Sequence, residues 1–143
     1  MELIKLHPDL IEPTRGTPGS AGYDIHMPEA GGIANGAYHS QLVGLGFALK
    51  VPVGSVALIL PRSGAGAKHG VELRNTVGVI DSDYEGEWKV AVKTKEGHEL
   101  CWDAGERLFQ FIIVPCLTDE ITVVDKFTET SARGAGGFGS TGA

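Results

Sequence analysis

Asn75–Gly86 reads NTVGVIDSDYEG, and Trp88–Thr94, just beyond it, reads WKVAVKT. The first stretch opens with Val77, Val79 and Ile80, a short apolar run suited to a buried strand. Asp81, Asp83 and Tyr84 then fall on a turn closing at Gly86, because Asp and Gly tolerate or supply positive φ. The second stretch alternates as a returning strand does. Together they predict a β-hairpin whose tip carries two carboxylates and a phenol. Such a tip suits a reactive group; the plainer reading is that both aspartates only form the turn.

The same grammar recurs on both sides. Strands are expected at residues 2–6 (ELIKL), around SAGYDIHMP (20–28), along QLVGLGFALKV (41–51) and at SVALIL (55–60). Further strands are expected at 99–102, at RLFQFIIV (107–114) and at Ile121–Val124, with residues 29–39 read as loop. Gly and Pro punctuate nearly every junction, and only Gly64–His69 looks able to form a helix. Many short strands without βαβ alternation predict an all-β sandwich or barrel.

Length supports one domain with a real core. Glycine fills 21 of 143 positions, about twice the usual share, which implies many turns or backbone used for binding. A net charge of −6 argues against broad nucleic-acid binding and favours a small ligand neutralised locally. Cys101 and Cys116 fit no metal or redox spacing, so buried free thiols are expected. With neither a charged leader nor a membrane-length apolar run, the protein is expected to be cytoplasmic and off the membrane.

From Thr128 the chain becomes TETSARGAGGFGSTGA, too poor in apolar surface to offset its ordering entropy. Residues 1–127 are therefore read as the β domain and 128–143 as a mobile arm. Arg133, Phe138, Ser140 and Thr141 could clamp a ligand with a cation, a ring and hydroxyls. Gly134, Gly136 and Gly139 spell GxGxxG, but a dinucleotide fingerprint needs a strand before it, a helix after it and an acid about twenty residues on, and that context is not expected here. Glycine N–H groups can still nest phosphate oxygens.

Three further clusters are polar. In PRSGAGAKHG (61–70), Arg62 offers a fork for phosphate, and Ser63 stands at the helix start, where it either caps the helix or meets an anion. In GERLFQ (105–110), Arg107 and Gln110 are three apart, on opposite strand faces unless a bulge or the strand's start intervenes. Asp24 in SAGYDI is a carboxylate beside glycine. Such a set suits a phosphate ester with a hard divalent cation such as Mg²⁺.

In order, PGSAGYDI, PRSGAGAKHG, NTVGVIDSDYEG, GERLFQ and RGAGGFGST resemble the five motifs of the trimeric deoxyuridine triphosphate nucleotidohydrolases, the dUTPases. They span Pro18 to Thr141, and the wording around residues 61–86 is closest to bacterial members; Ala65 stands where the family usually has a larger apolar residue. The resemblance implies a jelly-roll-like β subunit with one short helix. It also implies a homotrimer with shared sites, closed by a C-terminal arm. The reaction implied is Mg²⁺-assisted hydrolysis of dUTP to dUMP and pyrophosphate, by water attacking the α-phosphorus.

On that resemblance, Asp81 orients and deprotonates the water, Asp24 holds Mg²⁺ through its water shell, and Ser63 lies near the α–β bridging oxygen. Arg62, Gly64, Gln110 and Arg133 would contact phosphate, and Arg107 would be structural or phosphate-side. Asn75 with the strand Gly78, Val79 and Ile80 would read uracil. Tyr84 would pack under the deoxyribose and exclude a 2′-hydroxyl, Phe138 would stack over uracil, and Gly139, Ser140 and Thr141 would meet the terminal phosphates.

Two other readings compete with this one. A dCTP deaminase shares the scaffold but needs a glutamate on the return strand, where this chain has Ala91. A non-catalytic trimer binding nucleotide or a partner protein is the other alternative. Asp24, Ser63, Asp81, Tyr84, Arg133 and Phe138 are all present, so no site residue has visibly decayed, but a binding role can coexist with catalysis and stays open.

Overall fold

A computed structural model describes residues 1–33, 41–94 and 99–136. Strands β1 (Leu3–Lys5), β2 (Tyr23–Ile25), β3 (Gly31–Ile33), β4 (Gln41–Gly44), β5 (Phe47–Leu49) and β6 (Ser55–Pro61) precede the helix α1 (Ser63–His69). Strands β7 (Glu72–Leu73), β8 (Gly78–Ile80), β9 (Lys89–Lys93), β10 (Leu100–Trp102) and β11 (Phe109–Pro115) follow it. The all-β expectation holds, as a sandwich of open sheets rather than a closed barrel.

The spine is β6 against β11, antiparallel from Ser55↔Pro115 to Pro61↔Phe109, within a sheet ordered β2-β11-β6-β8. A second sheet runs β4-β9-β7, and β1-β5 and β10-β3 are separate pairs. Period-2 alternation turns Ala57, Ile59, Phe109 and Phe111 into the core. The opposite face of the same pair carries Leu58, Leu60 and Ile112, which stay half-buried. Between the sheets, Trp88 is fully buried, edge-on to Phe111 (ring centroids 5.1 Å apart) and tilted against Phe47 (5.3 Å).

That tryptophan explains the main departure from expectation. β8 pairs with β6, whereas β9 pairs with β4 and β7, so Asp81–Gly86 is an arch between sheets and not a hairpin tip. Trp88 N–H donates to Phe47 O and Leu45 N–H to Trp88 O, both at 2.9 Å, drawing the chain across the core. The turn itself survives, with Tyr84 N–H on Asp81 O at 3.2 Å. The strand expected along 41–51 is divided by a corner at Leu45–Gly46, where Gly46 takes φ +74°.

Smaller differences follow from tertiary context. β3 forms inside the expected loop by pairing with β10, and β7, where the pattern predicts no strand, forms by pairing with β9. The segment Ile121–Val124 has strand patterning but pairs with nothing among the described residues, and Ile121 is 94% exposed. Every residue from Leu117 to Ala135 is exposed. Both cysteines are free, but Cys101 is exposed and Cys116 half-buried rather than buried. Among the described residues no helix is long and apolar enough to cross a membrane.

Candidate active site

Among the described residues Asp24 is the one charged residue in the buried set, 8% exposed. Arg62 Nε stands 2.8 Å from its Oδ1 and Arg107 Nη1 3.1 Å from its Oδ2. Arg62 also donates to Arg107 O at 3.4 Å. β-sheet register assembles the rest: Gln110 lies directly opposite both Asp24 and Leu60, so all three share one face. β11 begins only at Phe109, so Arg107 precedes the strand and escapes the opposite-face rule. Thus Arg107 and Gln110 meet at Asp24 because the strand's start intervenes.

These groups border a cleft of about 490 Å³ lined by Gly22, Asp24, Leu60, Arg62, Ser63 and Gln110. Arg62, not Ser63, is the residue preceding α1; no side chain caps the helix, and Ser63 is its first residue, exposed. The capping alternative for Ser63 is therefore set aside, and its hydroxyl borders the cleft. Gly64 is exposed beside it. His26, two residues along β2's line from Asp24, is held below its ordinary pKa by burial and by Arg107. Its Nδ1 is buried without a partner among the described residues.

Asp81 is elsewhere. It follows Ile80, which pairs with Ala57, so it stands past the Ala57 end of β6 while Arg62 follows the Pro61 end. At ~3.3 Å per strand residue, Val56 to Arg62 spans roughly 20 Å. Asp81 is exposed, with no cation in ion-pair range among the described residues. Tyr84, 43% exposed, donates from its hydroxyl to Glu87 O at 3.0 Å. Gly78, Val79 and Ile80 form the sheet-edge strand β8, with Val79 pointing out (58% exposed) and Ile80 in.

Asn75 is exposed in the turn before β8, its carbonyl accepting Val77 N–H at 2.7 Å across Thr76. Thr76 has φ +68°, a costly value for a β-branched residue. Arg133 is exposed on a turn and donates from Nε to Gly136 O of its own arm at 2.8 Å. Phe138, Gly139, Ser140 and Thr141 lie outside the described residues.

A sequence profile of the dUTPase family matches residues 9–142. The chain belongs to the dUTPase family. The deoxyuridine 5′-triphosphate nucleotidohydrolase of Psychrobacter cryohalolentis is 45% identical over 133 residues, covering 91% of this chain and 85% of that one. That of Ralstonia nicotianae is 44% identical over 140 residues, covering 96% and 92%. Among solved structures, the Staphylococcus bacteriophage 80alpha dUTPase with dUPNHPP superposes with a TM-score of 0.86 at 27% identity, covering 99% of this chain and 98% of that chain.

The dUTPase motifs thus do not form a single group in one chain. Asp24, Arg62, Ser63, Arg107 and Gln110 converge, while the other motif residues stand apart from them: Asn75 and Asp81 flank opposite ends of the edge strand β8, and Tyr84 lies in the arch beside Ala48, Leu49 and Lys50. Sequence reasoning did not single out Glu87, Lys50 or the Gly44–Gly46 corner. Only adjacency to the Asp81–Gly86 stretch could have pointed to Glu87.

Proposed function

We propose that this dUTPase hydrolyses dUTP to dUMP and pyrophosphate in a homotrimer whose sites are shared between subunits. The carrying observation is the unlike state of two aspartates. Asp24 is buried between two guanidinium groups, a framework position. Asp81 is exposed at the head of a turn, where a carboxylate can orient a water and accept its proton. In this reading Asp81 directs water to the α-phosphorus. Arg62, Ser63, Gly64 and Gln110 hold the phosphates, with the Ser63 hydroxyl at the α–β bridging oxygen where leaving-group charge develops.

Asn75 and the exposed edge of β8 read uracil, while Tyr84 walls off the 2′-position. Such a wall is needed because an apolar pocket alone discriminates poorly against one added hydroxyl. Arg133 brings a further cation from the arm, residues 128–143, with Phe138, Gly139, Ser140 and Thr141 closing over the base and phosphates. The distance along β6 supports sharing. A span of roughly 20 Å exceeds a triphosphate, so Asp81 and Arg62 of one chain serve different sites. The half-buried face of Leu58, Leu60 and Ile112 and the exposed Leu117, Ile121, Val123 and Phe127 are apolar surface suited to neighbouring copies.

Mg²⁺ fits as a companion of the substrate rather than a resident ion. No group of three acidic, His or Cys side chains able to hold a metal occurs among the described residues. Two guanidiniums around one carboxylate leave a net positive cluster. Asp24 keeps acceptor sites beyond its two ion pairs, enough for a metal-bound water. Bound with the triphosphate, the ion supplies charge neutralisation at the phosphates.

The test is pyrophosphate release from dUTP, dTTP, dCTP and UTP, with and without Mg²⁺, alongside sedimentation of the protein. Release from dUTP alone by a trimer is expected. Silence with all four nucleotides, or ammonia released from dCTP, overturns the reaction. Full activity in a monomer overturns the shared site.

A further inference from the structure

Glu87 is absent from the five motif roles above, yet it ties down the arch that carries Asp81 and Tyr84. Two sheet crossings touch here: β8 to β9 through the arch, and β4 to β5 through Leu45–Gly46. The backbone bonds of Trp88 go to Leu45 and Phe47 and skip Gly46. Gly46 N–H is instead accepted by Glu87 Oε1 at 3.1 Å. The carboxylate side chain is 31% exposed, with Lys89 Nζ 3.7 Å from Oε2. It fits there because Gly44 has no side chain; a Cβ at that position would collide with it. Glu87 therefore supplies the acceptor that a sheet ladder would otherwise provide at a corner.

The main chain of the same residue receives Tyr84, whose hydroxyl donates to Glu87 O at 3.0 Å. Gly86, between them, leaves the room: a Cβ there would lie 2.6 Å from Tyr84 Oη. The Lys50–Glu85 ion pair also links the arch to β5, but it is solvent-exposed and its contacts are to Glu85, not to the phenol. Among the described residues, the hydrogen bond that ties the Tyr84 hydroxyl to the protein frame is the one to Glu87 O.

We propose that Glu87 is a positioning residue for sugar discrimination, fixing the Tyr84 ring against the 2′-position; this rests on the reading of Tyr84 given above. Excluding a hydroxyl depends on where a wall stands, so a small displacement of the ring costs selectivity before it costs fold.

The experiment compares kcat/KM for dUTP and UTP, with melting temperatures, in full-length wild type, Glu87→Ala and Glu87→Gln. In Glu87→Ala the dUTP-over-UTP ratio is expected to fall by about tenfold or more. In Glu87→Gln it stays within about threefold, because the amide oxygen can accept the same Gly46 N–H. A purely structural role would lower both substrates together and leave the ratio alone, so a folded Glu87→Ala with the wild-type ratio overturns the proposal. Should Glu87→Ala fail to fold, Tyr84→Phe, which removes only the hydroxyl tie, must show the same loss of selectivity; an unchanged ratio overturns the proposal there too. Wild-type protein without dUTP turnover sinks the functional reading and this inference together. Normal wild-type turnover with unaltered variant selectivity sinks this inference alone.

Discussion

Arg62 Nε lies 2.8 Å from Asp24 Oδ1, joining the start of α1 to β2 across β11. Arg107 closes on the other oxygen, so three motifs distant in sequence are fastened at one carboxylate. The cleft is shaped by this clasp, because Gln110 and Ser63 stand beside the residues it holds.

Asp24→Asn should therefore destabilise the fold. Removing the charge from a buried, doubly paired site costs about 3–5 kcal/mol when both partners are enclosed. Here the arginine side chains are 34% and 46% exposed, so about 2 kcal/mol is expected after solvent screening. Urea unfolding measures it. A midpoint equal to wild type would remove Asp24 from the framework.

Asp81→Asn should behave in the opposite way. Its exposure and lack of an ion pair among the described residues predict an unchanged midpoint. Turnover of dUTP should fall by roughly 10²–10⁴, the scale of a lost general base, while a non-hydrolysable dUTP analogue still binds by calorimetry. Normal turnover in this variant would put the base elsewhere.

Thr76 holds φ +68° next to the residues that face the base in the proposed reading. A β-branched residue there costs about 1–2 kcal/mol, and glycine returns about 0.5–1 kcal/mol of that as unfolded-state entropy. Thr76→Gly is expected to raise the unfolding midpoint slightly. A clear fall would mean that side-chain contacts of Thr76 outweigh its strain.

Much of this was legible in the sequence, and the failures have identifiable causes. Alternation found β6, β9 and β11, and the helix expected over Gly64–His69 is α1, which ends at Gly70 with φ 63°. Adjacency misled at β8 and β9: the pattern of a return strand is the same whether it rejoins its neighbour or crosses to another sheet. What decides is Trp88, whose burial is a tertiary fact. Ile121–Val124 reads as a strand because it has a strand's pattern, but a pattern does not supply a partner within the chain. Motif order named the candidate site residues, yet how they are placed relative to one another depends on the register of β6, which no motif encodes.

Lys50 and Glu85 form a 2.5 Å ion pair that raises the lysine and lowers the carboxyl from their ordinary values. The sign is fixed for each. Glu85's contribution is present above 4.5 and lost as pH falls through its lowered folded value. Lys50's is present below 10.5 and lost as pH rises through its raised one. Between these limits the pair contributes a constant and, being solvent-exposed, small amount. Lys50→Gln should leave the shape of melting temperature against pH unchanged from about pH 5 to about pH 10, with any offset vanishing in high salt. A new titration step inside that window would show that the pair is coupled to a buried group.

The arm offers the sharpest separation of fold from function. Every residue from Leu117 to Ala135 is exposed, so cutting after Glu129 removes no core contact among the described residues. That variant keeps Leu117, Ile121, Val123 and Phe127, the apolar side chains suited to neighbouring copies. It should sediment as a trimer and melt like wild type, yet lose Arg133 and everything beyond it. Losing a preorganised cation at the phosphates costs about 10²–10³ in turnover, with closure over the base lost as well. Cutting after Cys116 takes the apolar segment too, and should dissolve the trimer as well as the activity. Full turnover in the shorter truncation would take Arg133 out of the mechanism; a stable trimer in the longer one would place the subunit contacts on Leu58, Leu60 and Ile112 alone.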